Sequence, residues 1–171
     1  MTKIRILGFD SSSGITGWAL LETDLVSKSK ILDKGMFTTK SHISKKLRPM
    51  ADRLVDFYRN LDALFKKARP DYVAFEQHHI AKLKAAITIL KFMGVGLCAA
   101  KAYTGREVIE LSPAKIRSDL RCKGLRNEAK EAVRKTVNKM FDLAIEPGQE
   151  DISDAVAVAI VATGRIRQLE R

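Results

Sequence analysis

A chain of 171 residues, 46% apolar and 30% charged, is long enough to bury one sizeable core and too mixed in composition to be disordered. No uncharged apolar run approaches the roughly eighteen residues of a spanning helix, and the opening Met1–Leu7 lacks a signal peptide's apolar core. The 31 Lys and Arg against 20 Asp and Glu leave a formal charge of +11, which points to a polyanionic partner, nucleic acid before an anionic membrane surface.

In chain order, Lys3–Asp10 reads as a buried strand through Ile4, Ile6, Leu7 and Phe9. Ser11–Gly14 turns the chain, and Ile15–Leu21 returns as the second arm of a hairpin. Lys30–Thr38 is a third antiparallel strand. A helix is predicted from near Pro49 to Lys67, with Met50, Leu54, Tyr58, Leu61 and Leu64/Phe65 inward. After Pro70, Asp71–Phe75 is a short apolar strand running into Glu76. Ala81–Tyr103 is a long helix, apolar on nearly all sides, and Glu107–Leu111 a further strand. Ser112 and Pro113 then break the chain before a short helix, Lys115–Leu120, and a basic loop, Cys122–Arg126. Two helices follow, Glu128–Asp142 and Asp151 to about Arg167, separated by Pro147 and Gly148. Three antiparallel strands followed by α-β-α-β and closing helices predict an α/β fold with a mixed sheet. With no linker, repeat or low-complexity stretch, residues 1–171 are expected to form one domain. Cys98 and Cys122 lie in no CxxC and read as free thiols of a reducing compartment, hence a cytoplasmic chain.

Four acids stand out by position. Asp10 ends one apolar strand and Glu76 ends another, so in adjacent strands both would lie over one edge of the sheet, where ligands bind in open α/β folds. Asp151 and Asp154 open an apolar helix and, three apart, share a face. Each has a plain alternative: Asp10 as a turn cap, Glu76 as a solvent-facing strand end, Asp151 as a helix N-cap. Gathered together, however, four carboxylates repel unless cations neutralise them. Oxygen donors without a Cys or His pattern suit Mg²⁺, with Mn²⁺ as the alternative. Two such ions can activate water and stabilise the leaving oxygen in phosphodiester cleavage.

The segments Gly8–Trp18 (GFDSSSGITGW), Ala74–Gln77 (AFEQ) and Asp151–Ala159 (DISDAVAVA) resemble, in order and spacing, the three signature blocks of the RuvC Holliday-junction resolvases. The resemblance covers nearly the whole chain. It implies an RNase H-like fold and a homodimer that makes paired nicks in branched DNA, chiefly four-way junctions, with no membrane partner. It also implies that Asp10, Glu76, Asp151 and Asp154 are the catalytic residues and bind two Mg²⁺ ions. The chain departs from the family in lacking Pro-Gly after Asp10. It also carries His79 where many relatives have an aromatic residue, and its loop Arg121–Asn127 is unusually basic. Such divergence is similar to phage or viral members, for which the compartment would be host cytoplasm.

Nine basic residues fall between Lys115 and Lys139. Lys115, Arg117, Lys123, Arg126 and Lys130, with His79 and Lys82, are the candidate DNA contacts; Arg134, Lys135 and Lys139 are assigned to a solvated helix face. By resemblance, Lys130 and either Lys115 or Arg117 lie near the scissile phosphate. Leu83, Ile87, Leu90, Gly94 and Leu97 line one side of the all-apolar helix, which is either central in the core or packed on a partner; the resemblance implies the second, since the matching helix forms the family's dimer interface. Two other readings remain: an RNase H-like nuclease acting on flaps, single-stranded DNA or RNA/DNA hybrids, and a catalytically silent junction-binding protein. A nucleotide-binding domain of the actin-like ATPase type would need a second phosphate loop and a larger body.

Overall fold

Alternation along the strands sorts the apolar residues onto the two faces of one sheet. The computed structural model describes residues 3–12, 14–39, 48–77, 83–124 and 127–170, with the side chains of 83–86 and 127 outside the description. Strands β1 (Ile4–Ser11), β2 (Ile15–Thr23) and β3 (Ser29–Thr38) are antiparallel, while β4 (Tyr72–Glu76) and β5 (Ile109–Leu111) extend the sheet in parallel from β1. The order β3-β2-β1-β4-β5 is the mixed sheet predicted from the strand sequence. The fifth strand is shorter than expected, because pairing with β4 begins only at Ile109.

The helices are α1 (Met50–Ala68), α2 (Leu83–Thr104), α3 (Pro113–Asp119), α4 (Asn127–Phe141) and α5 (Glu150–Leu169). Leu7, Phe9, Val73 and Phe75 face α1 and α2; Ile6, Ala19, Leu21, Tyr72, Ala74, Ile109 and Leu111 face α5 and α4. By the period-two rule, Asp10 and Glu76 fall on the α5 side, in line with Ile6/Gly8 and Tyr72/Ala74.

The packing of α5 depends on small residues. A Cβ placed on Gly8 would lie 2.5 Å from the Ala155 carbonyl oxygen, and one on Gly17 would lie 1.9 Å from that of Asp151. Gly17 is the register partner of Asp10. The two glycines therefore let the first turns of α5 rest directly on β1 and β2, beside Asp10. At the other end of α5, Glu170 accepts a hydrogen bond from the Tyr72 hydroxyl and pairs with Arg106 at 3.0 Å. The Arg106 guanidinium also lies 4.6 Å from the centre of the Tyr72 ring. The helix is thus fixed at both ends, with Val156 and Val158 fully buried between them.

Several local expectations are corrected. In α1, Tyr58 is 51% exposed and Phe57 is buried in its place; the Phe57 ring meets Phe92 of α2 edge-on at 5.1 Å, which sets the helix's rotation. The residues Ser112 and Pro113 start a helix rather than merely breaking the chain. Ser112 is the N-cap, accepting the Lys115 N–H at 3.2 Å, and Pro113 takes the first helical position. Asp151 is not an N-cap: Gln149 holds that place, without a side-chain bond. Arg134 is not on a solvated face. Its side chain is 12% exposed, bonded through two nitrogens to Glu131 and through a third to the Ile145 carbonyl at 2.8 Å.

Helix α2 buries Phe92, Met93, Ala99 and Ala100 and presents the opposite side outward. Ile87 is 47% and Leu90 50% exposed, and Gly94 and Cys98 lie on the same open side. Leu97 is half-buried against the core between α1 and the sheet, unlike the rest of its expected stripe; Leu83 lies in the segment whose side chains are not described. The window Ile87–Thr104 is long and apolar enough to cross a membrane by length and composition. Lys91 and Lys101 interrupt it, so it contains no long uncharged run.

Candidate active site

Parallel pairing of β1 with β4 brings the two strand-end acids together, and the close seat of α5 adds a third. Carboxylate oxygens of Asp10, Glu76 and Asp154 all lie within 4.8 Å of one another. Asp151 is outside that group. It stands one turn earlier on α5, close enough that its charge raises the carboxyl pKa of both Asp10 and Asp154.

The electrostatics record the crowding. Burial, then the charges of Glu76, Asp154 and Asp151, hold the Asp10 carboxyl well above the ordinary range, with Lys130 opposing. Glu76 is pushed up to about 7 by burial and by Asp154, against the pull of Lys130 and Arg117. Asp154 is raised to about 6, mainly by burial, with Lys130 opposing and Asp151 and Glu150 adding to the rise. Three half-buried acids with raised pKa values are a poor structural motif and a good cation site. An oxygen-only donor set suits a hard divalent ion, whose charge would relieve both the repulsion and the cost of burial. The donor set therefore fits such an ion.

Cations flank the acids on one side. The Lys130 ammonium is 3.9 Å from Asp154, and Lys130 and Arg117 line a cavity of about 420 Å³ together with Glu76 and Asp154. The Arg117 Nε–H donates to the Pro113 carbonyl at 3.2 Å, which anchors its guanidinium to the first turn of α3. Lys115 does not line the cavity; its ammonium pairs with Asp119 at 2.8 Å, one turn along α3. Of the two residues left open by the resemblance, Arg117 is the one beside the acids. Lys123 is exposed on the loop after α3, apart from the cavity. His79, Lys82 and Arg126 lie outside the described residues. The sequence reading missed the cavity's apolar wall, formed by Pro113, Ile116, Ala129 and Val133. A cap reading of Ser112 and Pro113 would have been its one signal, since it puts Ile116 and Arg117 side by side on a defined helix.

A mixed sheet carrying strand-end acids and a helix-borne acid on one face defines an RNase H-like fold with a carboxylate site. The sequence profile described as "Crossover junction endodeoxyribonuclease RuvC" matches residues 6–162, and the chain belongs to that family. It is 31% identical to the RuvC crossover junction endodeoxyribonuclease of Clostridioides difficile over 156 residues, covering 91% of this chain and 87% of that protein. It is 30% identical to that of Ruminiclostridium cellulolyticum over 156 residues, covering 91% and 89%. The fold superposes on T. thermophilus RuvC in complex with a Holliday junction substrate with a TM-score of 0.78, at 20% identity and 96% coverage of both chains.

Proposed function

We propose that this chain, as one nuclease domain over residues 1–171, resolves four-way DNA junctions in the cytoplasm by paired, Mg²⁺-dependent hydrolysis. The observation that carries the reading is the convergence of Asp10, Glu76 and Asp154 within 4.8 Å in a chain of the RuvC family. These three, with Asp151 beside them, would hold two Mg²⁺ ions per site, or Mn²⁺ in their place. Divalent ions bound there supply Lewis-acid activation of water and charge neutralisation at the phosphate. The acids orient the donor oxygens, and burial excludes competing solvent. Lys130 and Arg117, on the cavity wall, grip the phosphate that is cut, while exposed Lys123 contacts the backbone further out. Cleavage of an immobile four-way junction, a flap and an RNA/DNA hybrid, each with and without Mg²⁺, tests the reading. Metal-dependent paired nicks in the junction are expected; a preference for the flap or the hybrid, or no cleavage at all, would overturn it.

The partner face is the open side of α2. A second copy packing there through Ile87, Leu90 and Gly94 gives a symmetric dimer, with one four-acid site per subunit.

Two further results are expected. Glu76 titrates at about 7 and Asp154 at about 6 in the cation-free fold, against 4.5 and 3.8 ordinarily. Between those limits the folded chain holds more protons than the unfolded one. The contribution of these acids to stability is therefore full below their ordinary pKa values and is lost as pH rises through about 7. A divalent cation replaces those protons, so the rise in Tm on adding saturating Mg²⁺ should be larger at high pH than at low pH. Thermal melts at the two pH values measure it, and an equal rise at both counts against cation binding by these acids.

The second concerns phosphate contact. Lys130→Ala should weaken junction binding similarly for all DNA sequences and reduce the slope of log K against log salt by about one unit. Lys115→Ala, already paired with Asp119, should leave the slope unchanged. Filter binding across a salt series separates the two; a wild-type slope for Lys130→Ala removes it from the phosphate site.

A further inference from the structure

Phosphodiester hydrolysis uses only one wall of the cavity beside the acids. The other wall is apolar: Pro113 and Ile116 from α3, Ala129 and Val133 from α4. Ile116, Ala129 and Val133 are 4%, 3% and 4% exposed, so these side chains form the floor of a recess rather than a surface patch. A phosphate gains nothing from such a wall. A cavity of about 420 Å³ with a mainly apolar lining and a few convergent polar groups has instead the size and character of a small-molecule seat.

In a nucleic acid, the component suited to an apolar recess within reach of a phosphate-gripping cation is the nucleobase. Bases are stacked within a duplex and cannot enter, but drawing one out costs less where the continuity of the stack is broken, as at a branch point. The walls are positioned for selection. Pro113 and the Ser112 cap fix α3, so Ile116 and Arg117 project as neighbours, one into the recess and one toward Glu76. A base seated against Ile116 and Val133 would thus have its own phosphate, or the adjoining one, held next to Arg117 and Lys130.

We propose that the apolar half of this cavity seats one unstacked nucleobase next to the scissile phosphate, making Ile116, Ala129 and Val133 specificity-determining residues. The inference rests on the endonuclease reading above. The base is held by shape and by aliphatic contact, since none of the described residues lining the cavity is aromatic. Discrimination therefore acts chiefly on the size of the base at one position of the strand that is cut.

The test places 2-aminopurine, whose emission rises when it leaves the stack, at each position around the cut in turn. Binding of the wild-type protein is followed without divalent metal, so that cleavage plays no part. A several-fold rise is expected at one position adjoining the cut, and a junction abasic at that position should be cleaved several-fold more slowly with Mg²⁺. Ala129→Leu, which fills the recess, should abolish both effects; Val133→Leu serves if circular dichroism shows the first variant unfolded. No rise at any position, or a rise that persists unchanged in a folded cavity-filled variant, overturns the inference alone. A wild-type protein that cuts no branched DNA overturns the endonuclease reading and this inference with it.

Discussion

Asp10→Asn and Glu76→Gln should each lower nicking of a four-way junction by on the order of a thousandfold, about 4 kcal/mol in the barrier, while junction binding stays intact or tightens. Each variant removes one charge from a set of acids that lie within 4.8 Å and that burial already drives toward protonation. Cation affinity falls because a ligand charge is gone. DNA affinity does not, because the acids repel phosphate and one of them has been neutralised. The same reasoning gives a control on folding: without divalent cation both variants should melt no lower than wild type at neutral pH, since a repulsive buried charge has been removed. A nicking assay with Mg²⁺, gel-shift binding without it, and thermal melts measure the three quantities. Cleavage at near wild-type rate by either variant would mean that the acids were wrongly assigned.

Leu90→Glu should give a folded monomer that binds junctions more weakly and no longer cuts opposite strands together. Leu90 is half exposed on the open side of α2, so a glutamate there meets water in the monomer and costs the fold little. In a symmetric dimer the residue occurs twice, and burying two carboxylates at an apolar contact costs several kcal/mol each. That is enough to weaken association by several orders of magnitude. Sedimentation reads the assembly state. A cruciform plasmid reads the chemistry: paired nicks yield linear DNA, and uncoordinated nicks yield open circles. A wild-type protein that remains monomeric on the junction and gives only open circles would favour a simple nickase. Leu97, which the sequence placed on the same stripe, is unsuitable for this test because it packs against the core.

What could be read in the sequence was whatever depends on local pattern. Asp10 and Glu76 stood out because each ends an apolar strand, which allowed both to lie over one sheet edge. That β1 and β4 are direct neighbours, with both acids on the α5 side, comes from the parallel pairing in the structure. Asp154 followed from its position at the head of an apolar helix. The unread features depend on rotation and tertiary neighbours. Along α1, the stripes through Tyr58 and through Phe57 both satisfy a helical period, and only contact with Phe92 decides between them. The resemblance left Lys115 and Arg117 equally open; a local partner, Asp119, withdraws one of them. Arg134 looked solvated because its partner carbonyl, at Ile145, lies beyond the helix that carries it. The apolar recess was invisible because its walls come from α3 and α4, whose mutual placement no periodicity encodes.

The acids and the open apolar surface of α2 belong to opposite faces of the sheet, so in the proposed dimer each cutting centre is one sheet and one helix away from the two-fold axis. With helices about 10 Å across and packed layers about 10 Å apart, the two centres stand roughly 30 Å from each other, close to one turn of duplex DNA. The spacing of the two incisions would then be a property of layer thickness. It would survive most surface substitutions, and changing it would require rebuilding the fold rather than the site.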